Sequence, residues 1–136
     1  MKRFLAAGAL FAAAAAQAQV NLGEVLDLGG RKMARAEVVS LGETRLRAQR
    51  ADADADLTLR ADGTVVGRVD NKQGHGSSDA VGRWTVDGQG QRCIEVALPA
   101  FRMEVRDCSY LYLLGKDIFF AASDADREAR VVLYAR

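Results

Sequence analysis

From Thr44 onward the hydrophobic period of this chain is two, and glycine-containing turns interrupt it again and again. Leu57 and Leu59 alternate with Thr58 and Arg60. Asp62-Gly63 then supplies a tight turn, and Val65, Gly67 and Val69 alternate with Thr64, Val66 and Arg68. Two alternating runs joined by an Asp-Gly pair read as a β-hairpin. Side chains on an extended strand point to opposite faces, so a chain with this rhythm buries its apolar half only as sheet. Further strands are expected at 81–86, 92–97, 102–107, 110–114, 118–122 and 130–135. In the first of these, Trp84 and Val86 share one face and Arg83 and Thr85 the other. Residues 71–80 are polar and rich in glycine and serine, which predicts an exposed loop. About eight short strands joined by tight turns imply a mainly β fold. The expected form is an antiparallel meander curled into a small barrel or half-barrel. Unprotected edges would be a liability in an open sheet, which argues for closure.

Residues 20–42 follow a different rule. Leu22, Val25 and Leu26 fall at helical spacing, and Gly29-Gly30 interrupts them. A second helical run over 31–41 carries Met33, Ala34, Val38 and Leu41 on one side, with Gly42 as its C-terminal cap. These short helices are expected to plug or brace the sheet, with residues 43–136 forming the β-domain.

Ahead of them lies an address. Met1-Lys2-Arg3 is followed by an apolar run over 4–16, and Ala16-Gln17-Ala18 matches the small-residue pattern of a cleavage site. Residues 1–19 therefore read as a cleaved signal peptide, and the mature chain as periplasmic or secreted. The run is too short for a spanning helix, which needs roughly 20 apolar residues. No cysteine follows the cleavage site to take a lipid, and Lys2-Arg3 is not a twin arginine. Membrane insertion after cleavage is not expected. Of the 136 residues about 117 remain, one domain's worth. The precursor has 19 basic and 18 acidic residues, and losing Lys2 and Arg3 leaves 17 against 18. A net charge of −1 gives no electrostatic case for nucleic acid or an anionic membrane as partner. The arginines alternate with apolar residues along the strands, so they are expected on a solvated outer face.

Cys93 and Cys108 are the only cysteines. An even count in an oxidising compartment favours a disulfide. Two thiols with a single distant histidine do not supply four metal ligands, and the spacing is not C-x-x-C. If Cys93 faces Cys108, then Glu95 faces Arg106, Val96 faces Val105 and Leu98 faces Met103. The apolar pairs then share one face, with the disulfide and the ion pair on the other. A slip of one residue sets Val96 against Glu104 and destroys that separation. The turn falls over 99–102, where the missing donor of Pro99 is tolerated.

Candidate chemistry is sparse. Asp52, Asp54 and Asp56 resemble a calcium loop, but the template's glycine and bidentate glutamate are replaced by Leu57 and Gly63. The cluster Asp124, Asp126 and Glu128 has Arg127 as a local counter-charge. His75 is the only histidine, flanked by Gly74 and Gly76, and such a position is ill suited to the positional accuracy catalysis needs. No catalytic residue, cofactor or metal site is expected, and the chain reads as non-enzymatic. The aromatics carry more weight. Both faces of 110–114 and 118–120 are apolar or aromatic. Either one face meets the core and the other the N-terminal helices, or one face lines a ligand site or meets a protein. Trp84, Tyr110, Tyr112 and Phe120 are the candidate contact residues.

Several residues carry a resemblance. Ala61-Asp62-Gly63-Thr64-Val65-Val66-Gly67-Arg68 precedes Gly82-Arg83-Trp84-Thr85-Val86-Asp87, then Cys93 and Cys108. Over roughly 33–114 this resembles a broad group of small exported proteobacterial β-proteins of uncharacterised function, with a DGT hairpin, a G-x-W strand and two cysteines flanking a hairpin. Gly82-Arg83-Trp84 is also similar to the G-x-W of lipocalins, and periplasmic lysozyme inhibitors look similar in size and disulfide-bearing barrel form. The implication is architectural. The expected function is an exported binding or protein-interaction module. Its alternatives are a carrier of a small apolar ligand in a lipocalin-like barrel and a periplasmic enzyme inhibitor.

Overall fold

The computed structural model describes residues 20–49, 51–74 and 76–134. The leader expected over 1–19 and the histidine at 75 lie outside the described residues. After α1 (Leu22–Asp27), β1 (Arg31–Lys32) and α2 (Arg35–Ser40), the chain forms eight consecutive strands. These are β2 (Thr44–Gln49), β3 (Ala53–Leu59), β4 (Thr64–Asn71), β5 (Ser77–Val86), β6 (Arg92–Leu98), β7 (Met103–Leu114), β8 (Asp117–Ala121) and β9 (Val131–Leu133). Each pairs antiparallel with the next, so β2 and β9 end the sheet. The meander curls into a half-barrel. Its two ends approach where the Tyr134 hydroxyl, just past β9, donates to the Arg45 carbonyl on β2 at 2.6 Å.

The cysteine register holds along all of β6. Cys93 faces Cys108, Glu95 faces Arg106, Val96 faces Val105 and Leu98 faces Met103. Cys93 and Cys108 form a disulfide with their Cα atoms 4.0 Å apart. The Arg106 Nε lies 3.3 Å from a Glu95 oxygen on the same outer face. The turn is a short 3₁₀ helix, Pro99–Phe101, closed by Arg102 in the left-handed region at φ 51°.

Three local expectations change. Residues 102–107 and 110–114 are one strand, β7, because β6 pairs with its first half and β8 with its second. The predicted loop 71–80 shrinks to the turn after Asn71, since Ser77–Ala80 belong to β5 and pair with β4. Ser78 is buried there, with its hydroxyl donating to the Asp79 carbonyl and accepting from the Ala100 amide. A satisfied serine fits an inward position as well as an apolar residue. Finally, Arg31 and Lys32 are not helical. They form β1 against Leu113 and Tyr112, taking up the edge of β7 beyond the end of β6. An unpaired ladder edge outweighs weak helix propensity.

The two helices serve opposite faces. Leu22 and Val25 of α1 pack outside the sheet on Tyr112, Ala121 and Val131. Val38 of α2, with Met33, packs against Leu111 and Ile118 on the inner face and stops one end of the half-barrel. Gly42, at φ 65°, ends α2 as expected. No helix among the described residues is long and apolar enough to cross a membrane.

Ala34 has no side-chain acceptor to cap α2, so Glu37 reaches back to its amide at 3.1 Å. Glu37 also takes two hydrogen bonds from Arg31, each 2.8 Å. The Arg31 guanidinium first, and the Ala34 amide second, lower the Glu37 carboxyl to about 2. A depressed carboxyl contributes stability that is fully present above its unfolded pKa and is lost as pH falls through the folded value. Side-chain carbon NMR of Glu37 should therefore show a midpoint near 2, and a midpoint in the ordinary range near 4.5 contradicts the capping role.

Candidate functional site

The inner face of the half-barrel is walled by alternate residues of β2, β3, β4, β6 and β7. Leu46, Ala48, Ala55, Leu57 and Val69 line one side, and Ile94, Val96, Leu98 and Val105 the other. Ala48 and Ala55 face each other across β2 and β3, and their small side chains leave space where larger ones would fill the core. The result is an apolar cleft of about 320 Å³. Met103 and Val105 point inward yet stay 50% and 36% exposed, because none of the described residues seals this face over them.

A second recess, of about 610 Å³, shares Leu46, Ala48, Ile94 and Asp107 with the first. It opens along the slot between β2 and β9 and adds Arg92, Ser109, Phe120, Arg130 and Tyr134 to the walls. Together the two form one trough, apolar at one end and polar at the other. Below it Val38, Leu41, Leu59 and Trp84 pack with Arg92 and leave no space for water.

Arg92 is the residue that sequence reasoning misplaced. The arginines were expected outside, but Arg92 faces inward and is only 5% exposed. Its guanidinium lies 5.1 Å from the centre of the Phe120 ring, a cation–π distance. Its Nε meets no acceptor among the described residues. Burial pushes the guanidinium below its ordinary pKa, against the opposing pull of Tyr134 and Asp107. The signal was available, since Arg92 has the parity of Ile94, Val96 and Leu98, all buried. A charge in phase with a core stripe must be neutralised or used.

The four aromatic candidates do not converge. Phe120 walls the trough and meets Tyr134 edge-on, ring centres 5.3 Å apart. Trp84 lies beneath it, with its indole donating to the Arg60 carbonyl at 2.7 Å. Tyr110 and Tyr112 sit on the outer face under α1, where Tyr112 is 2% exposed and burial raises its phenol. Lys32 lies over the Tyr110 ring at 5.2 Å. Within the two acidic clusters, Asp56 pairs with Arg45, Asp54 with Lys72 and Asp124 with Lys32 at the surface. The chain matches no family model, no curated protein and no solved structure, so the trough alone carries the functional argument.

Proposed function

We propose that this protein is an exported, non-enzymatic binding module that carries a small apolar ligand inside the half-barrel. One observation carries the reading: an apolar-walled cleft of about 320 Å³ opens to a slot between the two edge strands. Ligand sites are typically concave, mostly apolar and supplied with a few polar groups, and this trough has that composition. A protein-contact reading has less support. The turn after Asn71 is short, Tyr112 is covered by α1, and Tyr110 is half-buried at the margin of the same cluster with Lys32 over its ring. The disulfide agrees with an oxidising compartment.

A neutral environment-sensitive dye, N-phenyl-1-naphthylamine, tests the reading by fluorescence titration. The wild-type protein should bind it saturably at one site. The double variant Ala48→Phe/Ala55→Phe fills the cleft and should weaken binding at least about tenfold, a loss of 1.4 kcal/mol. No saturable binding by wild type, or equal binding by a folded double variant, would refute the carrier.

A further inference from the structure

We propose that the ligand is an amphipathic carboxylate whose head group is held by Arg92 and whose chain lies along the apolar cleft. The inference rests on the carrier reading and adds the chemistry of the ligand. A buried guanidinium is stable only when its donors find acceptors, and the Arg92 Nε has none among the described residues. Phe120 covers it on one side without supplying an acceptor. A carboxylate presents two coplanar oxygens to the guanidinium fork and so would satisfy it with directional bonds.

Charge favours the same ligand. The described walls of the polar recess carry two inward arginines, Arg92 and Arg130, against one carboxylate, Asp107, while Arg47 at its rim turns outward to Asp56. A monoanion matches the single deeply buried cation, whereas a dianionic phosphate would exceed the one positive charge left over on these walls. The apolar half then selects for a chain. Ile94 belongs to both recesses and lies two residues from Arg92 on the same face, so a head group at Arg92 hands its chain directly to Ile94, Val96 and Leu57.

Calorimetric titration of the mature protein with decanoate, decanol, decyl phosphate and acetate separates the contributions, each ligand kept below its aggregation threshold. Decanoate should bind at least tenfold more tightly than decanol and than decyl phosphate, and acetate should show no binding at the same concentrations. Arg92→Met should bring decanoate down to the level of decanol while leaving decanol unchanged. Arg92→Lys keeps the charge without the fork and should retain only part of the preference, which decides the matter if the methionine variant does not fold. Equal binding of decanoate and decanol by wild type overturns the head-group inference and leaves the carrier intact. Tighter binding of decyl phosphate overturns the choice of carboxylate. A preference that survives in folded Arg92→Met overturns the role of Arg92. Failure of decanol, decanoate and the naphthylamine dye alike removes the carrier reading itself.

Discussion

Replacing Cys93 and Cys108 together with alanine is expected to lower the unfolding free energy by about 3 kcal/mol, the chain-entropy value for a closed loop of this length. The bond joins residues 15 apart and lies on the outer face, opposite the core. Its loss therefore removes a constraint on the unfolded chain more than it removes buried apolar surface. The adjacent pair, Glu95 with Arg106, is solvent-exposed and cannot replace it. Urea unfolding followed by Trp84 fluorescence reads the effect. With a slope of about 1–3 kcal/mol per molar urea, the midpoint should fall by roughly 1–3 M, with a slope no smaller than that of wild type because the uncrosslinked unfolded chain exposes more surface. Reduction of the wild-type protein should reproduce the shift. A double variant that unfolds within about 0.3 M of wild type would mean that the hairpin is held by its ladder alone.

A comparable loss is expected from adding one methyl group. Gly82 sits on β5 directly opposite Val96 of β6. A Cβ there would run into the Glu95 carbonyl oxygen and come within 2.8 Å of the Val96 Cα, both of them backbone. Backbone cannot rotate aside as a side chain does, so strands β5 and β6 must separate. Overpacking of a tight site costs about 1–3 kcal/mol, and because the three nearest atoms are all backbone, Gly82→Ala falls near the top of that range. Gly88 provides the control, because a Cβ added there meets nothing within 4 Å. Gly88→Ala should stay within about 0.5 kcal/mol of wild type. Thermal or urea unfolding of the two variants side by side checks the contrast, and equal stabilities would show that β5 and β6 have slack between them.

Where a face had to be chosen, parity in the sequence chose correctly. The hairpin around Asp62-Gly63 and the register of β6 with β7 both follow from it, because a slip of one residue would turn Val96 outward. Parity is silent about what lies across from a strand. Nothing near Arg31 shows that the edge of β7 needs a partner there, so a helical pattern gives way to two residues of sheet. The serines of 77–80 read as loop because one of the two bonds that satisfy the Ser78 hydroxyl comes from the distant Ala100. The candidate site was legible in the same uneven way. Phe120 stood out as an aromatic on a two-faced strand, while nothing local tells that Tyr112 is covered by Leu22 and Val25. Ala48 and Ala55 escaped notice since a cleft made by small side chains has no motif. Arg92 was hidden by a generalisation that holds for Arg45, Arg47, Arg83 and Arg106 but not for it.

The contact between Tyr134 and Arg45 sets how this scaffold responds to strain. Elsewhere, neighbouring strands are stitched by a ladder of main-chain bonds, and parting them means breaking several at once. At the seam between β2 and the end of β9, a single hydroxyl clasps a single carbonyl among the described residues. Undoing it forfeits about 1 kcal/mol, little more than thermal agitation supplies. The half-barrel therefore has a stiff spine and a compliant lip, and the lip can flex while every strand keeps its partner.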